Sequence, residues 1–370
     1  MCLIVYAISP AHQYLTCRSH LFKLAATFLA ERLIAPFMIT AVTGASGHLG
    51  VNLVRALIAH ERDVRVITHN STLGLDDLKV ERRSGDVNDP DSLVRAFEGA
   101  DIVYHLAAHI SLLMNDSGRC SAVNVDGTRN VIEACHRNNV RRLVHFSSIH
   151  SLCGEPLDVP VDEARPLVEA RGSPPYDLSK AAGERLIRQA VREGMDAVII
   201  NPTGVIGPYD YSPSHFGQAL IMMAEGSIPV LLEGGFDWVD ARDVAEGAIK
   251  AEQVAAPGAN YLLSGTWLSV RETAAIASHI TGRQPPALTC PVQVAMACAP
   301  IVTAVSGWTG TRPIFTSVSL KALASNRNTS HAKASRELGY EPRPIRETLA
   351  DTIEWFMDND YIKRKGSQRR

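Results

Sequence analysis

Thr43-Gly44-Ala45-Ser46-Gly47-His48-Leu49-Gly50 is the stretch that decides the fold. Before it runs Ile39-Thr40-Ala41-Val42, which is short, apolar and β-branched, as is typical of a buried parallel strand. After it, Leu49, Leu53 and Leu57 recur every four residues and predict the apolar face of a helix. Glycine lets a backbone turn tightly and approach a pyrophosphate, whose charge then faces the N-terminus of the following helix. The stretch therefore predicts a dinucleotide-binding turn, with its glycines spaced G-x-x-G-x-x-G.

Outward from this turn, strand-like and helix-like segments alternate as far as residue 202. The predicted strands are Val64–Thr68, Val80–Arg83, Asp101–Ala108, Leu143–Ser148 and Ala197–Asn201. Such alternation without a repeat predicts an α/β fold, a Rossmann-type doubly wound parallel sheet, with a smaller C-terminal α/β substrate-binding part. We expect a poorly ordered extension over 1–37, an NAD(P)-binding domain over 38–207, and a basic tail over 358–370. The substrate-binding part would occupy 208–357, with some segments returning to the sheet.

Composition restricts the partners. The net charge of −2 gives no reason to expect nucleic acid or an anionic membrane. Seven cysteines without a C-x-x-C pair predict reduced, buried thiols and a cytoplasmic protein. The longest uncharged run, Ala287–Thr311, contains internal prolines, so we expect a packed helix or an apolar pocket wall rather than a membrane span. His105 and His109 lie on a strand and its following loop without a shared face, and no metal site is predicted.

The end of the second predicted strand normally decides between the two nicotinamide cofactors. An acidic side chain there binds the ribose hydroxyls of NAD. This chain has Thr68 and His69 instead, without a carboxylate. Histidine approaches a 2′-phosphate less effectively than arginine does, because arginine is always charged and bidentate. The sequence favours NADP and leaves NAD open.

Ser148, Tyr176 and Lys180 form a set suited to carbonyl reduction. Tyr176 and Lys180 are four residues apart on a predicted helix and share a face. A lysine cation one turn away favours the phenolate and should lower the tyrosine pKa from about 10. Ser148 ends a predicted strand, at the sheet edge where open α/β folds bind ligands. We predict that the tyrosine is the general acid/base and that the serine binds the same substrate oxygen.

With these motifs in order, the chain resembles an extended short-chain dehydrogenase/reductase of the NAD-dependent epimerase/dehydratase superfamily. The resemblance covers about Met38 to Met357 and is nearest the branch of 3β-hydroxysteroid dehydrogenases and dihydroflavonol reductases. Further motifs that carry it are Gly85-Asp86-Val87, His105-Leu106-Ala107-Ala108, Asn124-Val125-Asp126-Gly127-Thr128, Phe146-Ser147-Ser148, Tyr176-Asp177-Leu178-Ser179-Lys180, Asn201–Pro208, Trp238–Val244 and Lys333–Tyr340.

The resemblance implies Tyr176 as acid/base, Lys180 as its pKa partner and a ribose contact, and Ser148 as the partner of the substrate oxygen. The predicted cofactor contacts are Thr43, Gly44, Ser46, Gly47, His48, Leu49, Gly50, His69, Asp86, Val87, Leu106, Ala107, Ala108, Asn124, Tyr176, Lys180, Pro202, Thr203 and Val205. The predicted substrate contacts are His109, Ser111, His150, Tyr209 and Trp238. It also implies a homodimer formed through the helices near 124–137 and 176–192.

Three functions remain open at this point. The first is an NAD(P)-dependent oxidoreductase that interconverts a secondary alcohol and a ketone, or an aldehyde, on an apolar ring-bearing or steroid-like molecule. The second is a nucleotide-sugar epimerase or dehydratase, which needs cations for a pyrophosphate; the region from Pro208 to Leu232 contains no Arg or Lys, which counts against it. The third is a non-catalytic NAD(P)-binding sensor or scaffold, which the presence of both Tyr176 and Lys180 disfavours.

Overall fold

The computed structural model describes residues 38–69, 71–297 and 317–363. The predictions made for 1–37, for the tail beyond 363 and for the second half of the uncharged run lie outside the described residues. The strands are β1 Ile39–Thr43, β2 Asp63–Thr68, β3 Glu81–Ser84, β4 Ile102–His105, β5 Arg142–Phe146, β6 Ala197–Pro202, β7 Gly204–Ile206, β8 Val230–Leu232, β9 Gly235–Asp240, β10 Asn260–Leu263, β11 Thr266–Ser269 and β12 Leu288–Cys290.

Helices separate most of these strands. They are α1 His48–Ala59, α2 Pro90–Ala96, α3 Ser117–Ser121, α4 Gly127–Arg137, α5 Pro175–Arg192, α6 His215–Glu225, α7 Ala241–Val254, α8 Val270–Thr281, α9 292–297, α10 Ser317–Leu323, α11 Ala332–Leu338 and α12 Ile345–Asp358.

Seven strands form one parallel sheet in the order β10-β6-β5-β4-β1-β2-β3. Helices flank this sheet, so the predicted Rossmann-type α/β fold is confirmed. The chain runs from β1 outward through β2 and β3 and then returns to place β4 on the other side of β1. Ligands bind in such sheets at this reversal, outside the carboxyl ends of the strands.

A three-stranded sheet, β11-β9-β7, and the pair β12-β8 form the second part. Its core packs α6 and α8 against α12, around Leu220, Ala274 and Phe356. The sequence did not predict β7, β9, β11 or β12, which are only three to six residues long. β10, which follows residue 208, joins the large sheet beside β6. The domain boundary at 207/208 stays a prediction.

Asn124 lies within a helical stretch that begins several residues before it. Helical structure begins at Ser117, passes through a π-helical turn at Ala122–Asp126, and continues as α4. The side chain of Asn124 is 3 % exposed and binds neighbouring elements instead of capping α4. A π-turn interrupts the 3.6-residue repeat, so hydrophobic spacing gave no sign of the first turns.

The predicted long loop from His150 to Pro175 is tied down along its length. Leu152 and Leu167 form an antiparallel bridge within it. The guanidinium of Arg165 donates to the backbone carbonyls of residues 155, 156, 159 and 160. The amide of Asn326, which follows α10, donates to three carbonyls of the same segment. These bonds hold the loop against the cleft described below.

Across the described ranges, the structure contains no helix with the length and apolar character needed to cross a bilayer. The described half of the uncharged run forms β12 and α9, and Met296 of α9 lines the same cleft.

Candidate functional site

The glycine turn lies between β1 and α1, as predicted. Gly44 has φ of +69°, and a Cβ there would lie 2.6 Å from the backbone nitrogen of Ala107. A Cβ on Gly50 would lie 2.2 Å from the carbonyl oxygen of Gly44. Glycine is therefore required at both positions for the turn to stay close to the end of β4. No side chain caps α1 and no acidic residue lies in its first turn, so its positive end fits a pyrophosphate.

A cleft of about 1420 Å³ opens at the carboxyl ends of the strands. Pockets for a single small ligand measure roughly 300–1,000 Å³, so this larger cleft accommodates a dinucleotide and a substrate together. Every predicted cofactor contact except Asn124 lines the cleft. The three predicted catalytic residues line it as well, together with Ser111 and His150.

Four predicted contacts lie outside the lining. Asn124 accepts from the backbone N–H of His109 and donates to the hydroxyl of Ser179, so its amide joins the loop after β4 to α5. The imidazole of His109 is turned toward Asp116, with 2.7 Å between His109 Nε2 and Asp116 Oδ2. Both side chains therefore bind within the cleft wall, and their predicted ligand contacts stay predictions. The motifs placed them correctly along the chain but did not show which way their side chains point.

The two aromatic substrate contacts are corrected. Tyr209 lies with the guanidinium of Arg55 over its ring, 4.4 Å from the centroid, and packs against Trp355. Trp238 is 4 % exposed and packs edge-on against Phe216 and Phe236. Large aromatic surfaces are most stable when buried against one another, and these two rings stabilise the second part instead of facing a ligand.

The predicted catalytic residues come together from two elements. Ser148 lies just beyond β5, and its hydroxyl accepts the backbone N–H of His150. Tyr176 stands on the first turn of α5, and its phenol is hydrogen-bonded to the side chain of Ser148. Lys180 is 5 % exposed, and its ammonium donates to the carbonyl oxygen of Phe146 at 2.5 Å. The serine, the tyrosine and the lysine thus meet at the end of β5.

Burial determines the proton states of this set. It raises the pKa of Tyr176 to about 12, against the lowering hydrogen bond from Ser148. The expected lowering of this pKa by Lys180 is therefore wrong for the described structure, where burial outweighs it. Burial also lowers the pKa of Lys180 to about 8, opposed by the charge of Glu184. At neutral pH the site holds a phenol and an ammonium ion.

Two buried histidines lie behind Lys180. His105 accepts or donates at 2.8 Å to Thr43 Oγ1, and burial lowers its pKa to about 3. His145 faces it from the next strand, with 5.4 Å between the ring centroids, and burial lowers its pKa well below the usual value. Both rings are therefore neutral, and neither one lines the cleft.

His69 lies at the end of β2, as predicted, but it has an acidic neighbour. Its Nε2 is 3.4 Å from Oδ2 of Asp86, which follows β3. Asp86 also accepts the backbone N–H of Asn88. The carboxylate that is absent from the end of β2 is thus supplied by the neighbouring strand.

Several polar side chains that sequence reasoning missed line the cleft, and three of them bear on its chemistry. Asp177 lines it and lies 3.5 Å from His150, Oδ1 to Nδ1, and its place beside Tyr176 in the motif was a usable signal. Arg171 and Lys321 also line it. Arg171 lies in a loop and Lys321 in α10. Both lie outside Pro208–Leu232, and no spacing in the sequence connects them.

Known proteins resemble this chain in sequence and in structure. The family model described as "NAD dependent epimerase/dehydratase family" matches residues 40–262. The sterol demethylase protein B of Methylococcus capsulatus is 33 % identical over 330 residues, covering 88 % of this chain and all of that protein. A Synechocystis protein provisionally named dihydroflavonol 4-reductase is 31 % identical over 330 residues, covering 87 % of this chain and 95 % of the other. The crystal structure of gox2253 superposes with a TM-score of 0.78 at 31 % identity, covering 88 % of this chain and 99 % of that one.

Proposed function

The chain belongs to the NAD-dependent epimerase/dehydratase family, as an extended short-chain dehydrogenase/reductase, and we propose that it interconverts a secondary alcohol and a ketone on an apolar, ring-bearing small molecule. The observation that carries this proposal is the meeting of Ser148, Tyr176 and Lys180 in a cleft that continues into apolar walls. Loss of the tyrosine or lysine would mark a non-catalytic sensor, and this chain keeps both.

The glycine turn, Asp86 and the end of β6 are the residues that would hold the dinucleotide. NAD(P) supplies the hydride. Tyr176 is protonated at neutral pH and donates its proton to the substrate oxygen, for which the side chain of Ser148 is a second hydrogen-bonding partner. Proton transfer by a positioned side chain contributes roughly 10²- to 10⁴-fold to a rate. Lys180 lies one helical turn beyond Tyr176 on α5, is charged at neutral pH, and would bind the ribose beside the tyrosine.

The walls of the cleft beyond the catalytic residues favour an apolar substrate. Phe216 and Met222 of α6, Leu231 of β8 and Leu323 of α10 line this region. A pocket of this character excludes water and binds rings through dispersion and burial. The names of the two relatives, a sterol demethylase protein and a dihydroflavonol reductase, concern fused-ring molecules. A steroid-like or flavonoid-like alcohol or ketone is the substrate class that we infer.

For the cofactor, we infer NAD in preference to NADP. The sequence favoured NADP because the end of β2 lacks a carboxylate. Asp86 supports the opposite choice, since its carboxylate lies 3.4 Å from the imidazole that would have to hold a 2′-phosphate. A 2′-phosphate held by this imidazole would lie near the carboxylate of Asp86, and the two negative charges would repel each other. A carboxylate in this place instead accepts hydrogen bonds from ribose hydroxyls.

The remaining expectations are retained as proposals. A homodimer would use the outer faces of α4 and α5, and a single species of monomer mass in light scattering at micromolar concentration would refute it. The described cysteines Cys120, Cys135, Cys153 and Cys290 are free thiols, which supports a reducing, cytoplasmic environment.

The test is a fluorescence titration with NADH and NADPH, followed by a panel of steroid and flavonoid ketones while NADH oxidation is recorded. We expect both cofactors to bind, NADH more tightly, and ketone-dependent oxidation with at least one ring-bearing ketone. Failure of both cofactors to bind would overturn the proposal at the glycine turn. Binding without oxidation by any ketone would overturn the substrate class.

A nucleotide-sugar epimerase is the second candidate, and one observation favours it. Arg171 and Lys321 line the cleft, and within the described part of the chain neither side chain has a hydrogen bond or ion pair. Cations that line a cleft can bind a pyrophosphate. The lack of Arg and Lys between Pro208 and Leu232 therefore counts less strongly against an epimerase. UDP-sugars included in the same panel, with product analysis, separate the two functions.

A further inference from the structure

Glu184 continues the face of α5 that carries the catalytic pair. It lies one turn after Lys180 and two turns after Tyr176, so the sequence reads Tyr-x-x-x-Lys-x-x-x-Glu. Its side chain is fully buried, at 0 % exposure. A carboxylate is rarely buried unless other groups satisfy it, and this one lies directly beneath the site without touching the cleft.

Four donor atoms, from three residues, satisfy the carboxylate. Oε2 accepts the hydroxyl of Ser151 at 2.8 Å and the amide of Asn201 at 3.0 Å. Oε1 accepts two nitrogens of Arg188, the nearer at 2.7 Å. Ser151 belongs to the turn after β5 and Asn201 to β6, so one charge joins α5 to both strands.

The same two donors also hold Ser148. The Ser151 hydroxyl lies 2.8 Å from the carbonyl oxygen of Ser148, and the Asn201 amide lies 3.2 Å from it. Asn201 immediately precedes Pro202 and Thr203, which are predicted to run along the nicotinamide. The position of the serine and that of the nicotinamide strand therefore depend on one buried carboxylate.

Glu184 also acts on Lys180 through its charge. Burial lowers the pKa of Lys180, and the Coulomb attraction of Glu184 opposes that effect. The other titratable groups that face the ammonium are His105 of β4 and His145 of β5, and both are neutral. Tyr176 is protonated and Arg188 is a cation, so neither one favours the ammonium. Among these neighbours, Glu184 is the group that supports a charged lysine.

We propose that Glu184 is a positioning residue that keeps Lys180 protonated and fixes Ser148 beside Tyr176. The proposal rests on the proposed function, because it assigns Glu184 a role in the same site. It differs from a purely structural role, in which Glu184 would only pair with Arg188 to stabilise α5. The two roles are separated by the charge state of the lysine.

The experiment compares Glu184→Gln with the matched variant Arg188→Gln, which breaks the same ion pair from its other end. NADH affinity and ketone reduction are each measured across the pKa of Lys180, about 8. An opposite charge one helical turn away shifts a pKa by about one unit. Glu184→Gln should therefore move the midpoint of the alkaline decline in activity and NADH affinity about one unit lower. Arg188→Gln removes a repelling cation and should leave the midpoint unchanged or raise it.

Several results would overturn the proposal. The first is an alkaline midpoint in Glu184→Gln that equals that of the wild type. The second is a midpoint that moves down equally in both variants. The third is an NADH affinity of the wild type that does not fall with rising pH. If Glu184→Gln does not fold, Arg188→Gln decides alone: a lowered midpoint overturns the proposal, and an unchanged or raised midpoint supports it. Failure of the wild type to bind NADH refutes the proposed function itself and is seen before any variant is made.

Discussion

Gly47→Ala tests the glycine turn at the position where an added methyl group would meet a single backbone atom of the protein. Gly47 has φ of −76° and ψ of 163°, which alanine adopts without strain. An added Cβ would have Gly44 O as its nearest neighbour, at 3.3 Å. The residue is exposed and lines the cleft. The new methyl group would therefore occupy the space through which a pyrophosphate approaches the N-terminus of α1.

The expected loss concerns the cofactor and not the fold. A hydrogen bond to a charged group is worth about 1.5–3 kcal/mol, and displacing the pyrophosphate by the width of a methyl group removes at least one. The Kd for NADH should rise about ten- to hundredfold. The free energy of unfolding should change by no more than about 0.5 kcal/mol, as for exposed substitutions generally.

The assay pairs a fluorescence titration with thermal unfolding for Gly47→Ala, Gly50→Ala and the control Gly118→Ala. Gly118 has no atom within 4 Å of an added Cβ and lies outside the cleft, so NADH affinity should not change. Its stability should stay the same or rise slightly, because alanine favours the helix α3 more than glycine does. Gly50→Ala would place its Cβ 2.2 Å from a backbone oxygen, so NADH affinity and the Tm should both fall. Unchanged NADH affinity in Gly47→Ala would show that no pyrophosphate passes this residue, and the reasoning would fail.

The remaining predictions concern the chemistry. Tyr176→Phe should lower kcat by about 10²- to 10⁴-fold with NADH affinity kept, which stopped-flow kinetics and fluorescence measure; turnover close to that of the wild type excludes the tyrosine as the acid. Lys180 has a pKa of about 8, so NADH affinity and ketone reduction should decline as pH rises through that value and the lysine loses its charge. Tyr176, with a pKa of about 12, remains a proton donor in this range. A pH profile that is flat near pH 8 contradicts this. His69→Arg should raise the ratio of kcat/KM for NADPH over NADH, and an unchanged ratio places His69 away from the ribose.

The parts of the fold that rest on local pattern were predictable. The large sheet follows from short apolar segments separated by helical repeats, and β1, β2 and β6 lie where the sequence placed them. Short strands such as β7 and β12, with three residues each, are stabilised by neighbours distant in sequence, and no local repeat marks them. The π-turn at Ala122–Asp126 is hidden for a related reason, because it breaks the repeat that reveals helices.

The site divides in the same way. Motif residues whose backbone defines the cleft, such as Gly44 and Asp86, line it as predicted. Residues whose side chains had to be oriented were harder: His109 turns to Asp116, and Trp238 turns into the core. The pKa of Tyr176 was predicted in the wrong direction because the charge of Lys180 was considered and the burial of the phenol, which raises its pKa, was not.

The pairing of β10 with β6 has a consequence for how this protein can be divided. β6 is buried along its whole length, and β10 covers its outer edge. A fragment ending at the predicted domain boundary would uncover this edge along Ile199–Pro202, the residues that β10 pairs, and leave the backbone groups that point to it without partners. Such edges template the association of further chains. The cofactor half is thus not an independent module that could be exchanged between proteins, and recombination with a relative would succeed only if β10 travels with it.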